Sequence, residues 1–364
     1  MRRRVKVGLV LCSNSANPIP STRIAVLNVL PLLEKQGFDF SVVFEPESPS
    51  ETPNLTGVAQ LAAELGCELV ILQKVSGPTA VLLASQLDSY GIPTVYLACD
   101  WVDQSMVSAT SMTVTVTDFL RSLCPPQLQS KVHVVHDGVE RLDVVKVHYG
   151  AEANARKSML RAVLVTSSNL TRLRFVENTP AWLRVNIVGR YALGADKLRE
   201  VRRNWAELSA YNRIEYLKFL ADWRIQCVPW GAESVYRHLV EADIGIIPID
   251  TQADLGETPS QPAWRLKSEN RLTLKMSLGL PVIATPIPSY EPIIVHGLNG
   301  FFAKSSHDWI KCLSALRDPL LRQQIGRAAR ESVKDKYSVP QQAKLLGDLL
   351  ATLVATRTAV AQVS

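Results

Sequence analysis

Lys267–Pro281 reads KSENRLTLKMSLGLP and runs on into Val282–Glu291, VIATPIPSYE. A polar entry, an apolar run of helical spacing and a Gly-x-Pro turn lead into a short apolar segment, Val282–Thr285. The spacing predicts a helix whose first turn carries Lys267, Ser268, Glu269 and Asn270, followed by a buried strand. The first backbone N–H groups of a helix have no partner inside it and favour anions, so this start suits a diphosphate. A capped, solvated helix end is the alternative reading of the same residues.

Outward from that stretch, apolar runs of strand length alternate with helical patterns. In the first half they are Val5–Leu11, Phe38–Phe44, Glu68–Leu72, Thr94–Ala98, Met112–Val116 and Lys131–Val135, with helices expected over Arg23–Gln36 and Thr79–Tyr90. The pattern restarts with Ala162–Thr166, Val185–Val188, Ile225–Val228, Ile244–Pro248 and Val282–Thr285. Continuous apolar strands separated by helices mean parallel sheets covered on both faces. The expectation is an α/β chain of two doubly wound, Rossmann-like domains, residues 1–150 and 151–364, facing each other across a cleft and joined within Arg141–Arg161. Ligands of such sheets sit beyond the carboxyl ends of the strands, hence in that cleft. Asp250–Ala263 reads as a mobile loop. Gln342–Val363 reads as an amphipathic helix that packs back on the first domain or touches a membrane surface.

Composition narrows the partners. The chain has 364 residues, 47% of them hydrophobic, and 40 Lys and Arg against 34 Asp and Glu, a net charge of +6. That excess fits a phosphate-bearing ligand or an anionic membrane surface, and without an aromatic-interleaved basic tract it argues against nucleic acid. The six cysteines form no CxxC pair and several lie in apolar runs, as expected of reduced core residues in the cytosol, possessing neither disulfides nor a metal. Arg2–Arg4 precede a first strand rather than a signal peptide, and no window is apolar enough to span a membrane. Gly-rich dinucleotide fingerprints, Walker loops, serine elbows and paired histidines at metal spacing are missing from the sequence, so no cofactor and no metal are expected.

Charged and polar residues that follow apolar strands are the candidates for chemistry. Lys74 in LVILQKV and Asp100 in YLACDWVD are expected to point towards ligand, because a buried charge with no partner is expensive. Asn14, Ser21, Thr22 and Arg23 lie on the first strand-to-helix loop, and Ser167, Ser168 and Asn169 close the first strand of the second domain. Ser289, Tyr290 and Glu291 follow Val282–Thr285 at its carboxyl end. Arg271, one residue past Asn270, adds a second cation to the helix start.

EADIGIIPID, then KSENRLTLKMSLGLPVIATPIPSYEPIIVHGLNGFF, then DWIKCLSALRDPLLRQQIGRAARESVKDKYS resemble the carboxyl-terminal half of retaining GT-B glycosyltransferases of the family 4 type. HVVHDGVE resembles the strand and turn that close the amino-terminal domain of that group, and PIPSTRIAVLNVLPLLEKQGF the start of a subset of it. The resemblance implies a nucleotide-sugar donor held by the second domain, an acceptor (sugar, lipid-linked or protein) held by the first, and metal-independent sugar transfer in polysaccharide or glycoconjugate synthesis, in the cytoplasm or at the inner face of the membrane. It implies that Lys267, Glu269, Asn270, Arg271, Ser289, Tyr290, Glu291 and Ser167–Asn169 serve the donor, that Asn14, Ser21, Thr22 and Arg23 form an acceptor-side loop, and that Asp100 positions the acceptor or the transferring sugar. The sequence departs from the family at Leu266 and Leu274, where the family has a pair of glutamates; leucine cannot accept the ribose hydrogen bonds of the second. Such a loss costs on the order of 1–3 kcal/mol unless other groups compensate, which keeps open a degenerate GT-B protein acting as a binding or partner subunit.

Overall fold

The structure is a computed structural model that describes residues 3–150, 159–166, 179–189, 213–214, 217–218, 221–251 and 261–361. Two compact units divide the chain. The first contains Met1–Glu140, Leu266–Glu269 and Lys336–Ser364; the second contains Arg141–Arg265 and Asn270–Asp335.

The first unit is built on six parallel strands, β1 (Val5–Leu11), β2 (Phe38–Phe44), β3 (Leu69–Gln73), β4 (Thr94–Ala98), β5 (Met112–Thr115) and β6 (Val132–Val134), in the order β2-β1-β3-β4-β5-β6. The second has six more, β7 (Leu160–Val165), β8 (Leu183–Gly189), β9 (Ile225–Pro229), β10 (Ile244–Ile247), β11 (Val282–Ala284) and β12 (Phe301–Phe302), in the order β12-β11-β10-β7-β8-β9. Strand order reverses at β1/β3 and at β7/β10, the switch points where doubly wound sheets open a crevice at their carboxyl ends.

Alternate residues of each strand face opposite layers, so both faces must be covered. Val7, Leu9, Leu11, Ile71, Val95 and Leu97 share one buried cluster with Val339, Ala343, Leu346 and Leu350 of the last helix. Val10, Val70, Leu72, Tyr96 and Ala98 face the other way, into a cluster with Ala80, Leu83, Ala84 and Leu87 of the helix Pro78–Ser89. All six cysteines are free thiols, five buried and Cys227 half-buried. Among the described residues no helix is long and apolar enough to cross a membrane.

Two elements differ from expectation. The helix expected over Arg23–Gln36 is three pieces, Pro20–Thr22, a π-helical turn Arg23–Leu27 and Leu30–Lys35. Pro31 has no N–H for the carbonyl one turn back, so the hydrogen-bond ladder resets in front of it. The helix announced by Lys267–Asn270 begins at Asn270 and runs to Ser277, leaving Lys267, Ser268 and Glu269 outside it and in the first unit.

In the second unit the helices Asn270–Ser277 and Pro319–Val333 meet at a glycine contact. Gly279 turns the chain at φ +79°, and a Cβ on Gly326 would lie 2.2 Å from the Gly279 carbonyl oxygen and 2.7 Å from the Tyr149 ring. Backbone cannot move aside as a flexible side chain can. Gly326→Ala is expected to destabilise the second unit by about 1–3 kcal/mol, whereas Gln324→Ala, on the exposed side of the same helix, changes it by less than about 0.5 kcal/mol; urea titration of the two variants measures the difference.

Candidate functional site

At the β1/β3 switch point the chain buries a chain of polar side chains. Ser13 Oγ donates to Thr22 Oγ1 at 2.8 Å, and Thr22 Oγ1 donates to Gln73 Oε1 at 3.0 Å, an oxygen that also accepts from Cys12 N at 3.3 Å. Gln73 Nε2 reaches towards Cys99 Sγ at 3.9 Å. Ser13, Thr22 and Gln73 are fully buried, and burial is tolerable because each has partners. The network ties the ends of β1, β3 and β4 together directly beneath Lys74.

Lys74 has φ +57°, the one positive value among the described non-glycine residues. Such backbone strain is held by its surroundings: Lys74 N donates to Leu97 O at 3.0 Å, and the ammonium sits between Glu51 Oε1 at 2.7 Å and Asp100 Oδ2 at 2.9 Å. Burial pulls the Lys74 pKa down, but the Asp100 and Glu51 carboxylates outweigh it and hold the amine raised, so it stays charged. Asp100 is fixed at both oxygens, since Oδ1 accepts from Trp101 N at 2.8 Å. The structure therefore brings together the two residues expected to carry catalysis and adds Glu51, which sequence reasoning missed because its loop, Glu45–Thr56, shows no motif.

The remaining acceptor-side residues part company. Asn14 Nδ2 donates to Glu45 Oε1 at 3.1 Å, Thr22 is locked in the buried network, Ser21 is half-buried, and Arg23 pairs with Glu140, which also accepts from Asn28 at 2.8 Å.

Glu269, expected to bond sugar hydroxyls, is 1% exposed, and its Oε1 lies 2.7 Å from His136 Nδ1. The same Nδ1 is 3.1 Å from the Val116 carbonyl oxygen, which can only accept, so Nδ1 carries a proton and donates to both. The neighbouring carboxyl of Asp137 answers to the buried Glu269. Burial and the Glu269 charge push Asp137 up to about 7, against the pull of a Ser268 hydrogen bond and His136. The Tyr337 ring packs tilted against His136 with ring centroids 4.8 Å apart. This cluster anchors Leu266–Glu269 in the first unit, where Leu266 joins the apolar core.

In the second unit Asn270 and Arg271 open the helix, both half-buried, as Lys267 is in the first. Ser289 is buried and its Oγ has no hydrogen-bond partner among the described residues, Tyr290 is fully buried, and Glu291 is exposed on the turn after them. Ser167, Ser168 and Asn169 lie outside the described residues, as does most of the expected mobile loop. Leu274 packs on the cluster of Val163, Val188, Tyr236 and Leu239. Both leucines that replace the family's glutamates are thus packing residues.

Sequence reasoning also missed Lys275. It is fully buried, its Nζ donates to Arg271 O at 3.1 Å, and burial, then Arg271, lowers it to about 7. A lysine between Thr273, Met276 and Leu278 on an apolar helix face was the available signal. Among the described residues no group of three or more His, Cys, Asp or Glu is placed to hold a metal ion.

No protein-family model matches the chain, and no curated protein does. Solved structures match over nearly the full length. A glycosyltransferase from Rickettsia africae superposes with a TM-score of 0.66 at 12% identity, covering 97% of this chain and 99% of that one. Sucrose-phosphate synthase from Thermosynechococcus elongatus gives 0.68 at 11%, covering 97% and 100%. HepE from Anabaena, in complex with UDP and glucose, gives 0.64 at 13%, covering 96% and 100%. The chain has the α/β fold of GT-B glycosyltransferases.

Asp137 and Lys275 give stability opposite pH slopes. A raised carboxyl makes the folded state bind the extra proton, so the Asp137 contribution is full below about pH 4 and is lost as pH rises to about 7. A lowered lysine reverses the sign, and stability is regained between about pH 7 and 10.5. Each window spans on the order of 4–5 kcal/mol at most. Thermal melts from pH 4 to 10 are expected to show a minimum near neutrality; Asp137→Asn flattens the acid limb and Lys275→Met the alkaline one.

Proposed function

We propose that this protein is a glycosyltransferase that moves a sugar, with retention, from a nucleotide-diphosphate sugar to an acceptor in polysaccharide or glycoconjugate synthesis, in the cytoplasm or at the inner face of the membrane. The observation that carries the reading is Lys74 and Asp100 held together at the switch point of the first sheet, in a chain that matches GT-B glycosyltransferases from end to end. HepE was solved with UDP and glucose, and by that analogy the second unit takes the donor, with Asn270 and Arg271 at the start of their helix facing the diphosphate. Ser167–Asn169, Ser289 and Glu291 follow strand ends of the same unit and complete the donor side. Lys267 and Glu269, which belong to the first unit, brace the lead-in to that helix.

In this reaction the bond from the anomeric carbon to the diphosphate oxygen breaks, a bond to the acceptor hydroxyl oxygen forms, and the acceptor proton leaves on the departing diphosphate. Such a step asks for orientation and charge placement more than for a strong base. Asp100, aimed by the Lys74 ion pair, accepts a hydrogen bond from the acceptor or from the sugar in transfer. No metal is required by this scheme.

A second reading is a GT-B protein without donor chemistry that serves as a binding or partner subunit; the packing of Leu266 and Leu274 into apolar clusters favours it. Calorimetric titration with UDP-, GDP-, ADP- and dTDP-sugars separates the two. Binding of one donor, weakened about tenfold by Arg271→Ala, supports the enzyme, and failure of every donor and bare nucleotide with the folded protein refutes it. With the donor in hand, Asp100→Asn and Lys74→Met are each expected to lower kcat by roughly 10²-fold.

A further inference from the structure

At the carboxyl edge of the first sheet the ammonium is the covered partner and the carboxylates are the exposed ones. The Lys74 side chain is 14% exposed, against 50% for Glu51 and 48% for Asp100. A site made for an anionic sugar turns its cation outward, as guanidinium and ammonium groups do towards phosphate and carboxylate. Here the cation is turned inward. The charges that act on Cys12, Tyr96 and Cys99 at these strand ends include one ammonium, Lys74, and the carboxyls of Glu51, Asp100 and Asp103. In a chain of net charge +6 this edge is locally negative.

Glu51 is held for this task. Its carbonyl oxygen accepts from Ser76 N at 2.7 Å, the preceding Ser50 N donates to Cys12 O at 2.9 Å, and Thr79 Oγ1 donates to Pro53 O at 2.9 Å. The loop is stapled to the turns after β1 and β3, so the carboxylate needs little reordering to act. Oε1 takes the Lys74 ammonium. Trp101, whose backbone N–H secures Asp100, is itself 36% exposed, an aromatic residue on the same turn as that acceptor.

We propose that Glu51 is a positioning and specificity residue for the acceptor: with Asp100 it holds Lys74 inward and leaves an edge of carboxylates that admits sugars offering hydroxyl or ammonium donors and rejects sugars carrying carboxylate or phosphate. This rests on the acceptor-side reading of the first unit given above. Removing Glu51 loses one of the two anions on Lys74, exposes the ammonium's charge to solvent and relaxes the discrimination.

The test presents the full chain, without donor, to a printed array of neutral, amino, uronate-, sialyl- and phosphate-bearing glycans at pH 7.5 and low salt. Retained glycans are expected to be neutral or amino, with anionic counterparts at least roughly fivefold weaker. Glu51→Gln is expected to narrow that gap to about twofold or less and to move the Lys74 amine titration, followed by NMR, downward; Glu51→Asp restores both. Anionic glycans held as tightly as neutral ones, an unchanged profile in Glu51→Gln, or no glycan retained by the folded protein overturns the proposal. Donor titration is scored separately: donor binding with a failed array removes this inference alone, and the expected array pattern without any donor binding removes the transfer reading instead.

Discussion

An ammonium that is mostly out of water has to be neutralised where it stands, and the organisation of the first unit follows from how Lys74 meets that requirement. Its two carboxylates come from different places in the chain, Asp100 from the turn after β4 and Glu51 from the loop after β2. Both must be delivered within hydrogen-bond distance of the residue after β3. The buried side chains of Ser13, Thr22 and Gln73 supply the rigidity, because a fully bonded polar network has one low-energy arrangement. Backbone strain at Lys74 survives for the same reason.

The second buried charge problem is solved differently. Around His136 there are two carboxyls, and burial together with the Glu269 charge raises Asp137 to about 7, so the cluster relieves its charge by proton uptake on that residue. One group of acids is balanced by a counter-ion, the other by protonation.

Much of the fold was legible because parallel strands buried on both faces write themselves as unbroken apolar runs: β1, β2 and β4 match the expected limits. What was not legible depended on distant partners. Nothing local distinguishes Glu51 from a solvated loop glutamate, and only the fold brings it to Lys74. Glu269 looked like a helix-start ligand because the sequence places it one residue before Asn270; its partner, His136, is more than a hundred positions away. Pro31 marks the break between Arg23–Leu27 and Leu30–Lys35 in the sequence itself. At Leu266 and Leu274 the sequence raised the right question, and packing supplies the physical answer of apolar burial on both sides.

The last helix, Val339–Ala361, shares a buried cluster with β1, β3 and β4. A ribosome releases those strands long before it makes the residues that cover them. Part of one face of the first sheet, beside Val26, Val29 and Leu33, therefore has no permanent cover until this helix has been made, and long-range closures of this kind are slow and exposed to aggregation. The second unit is the one whose parts are all made before the last helix, so it is free to fold first. The first unit would then be finished by the helix Val339–Ala361, and a nascent chain truncated before Val339 would display that part of the apolar face to chaperones.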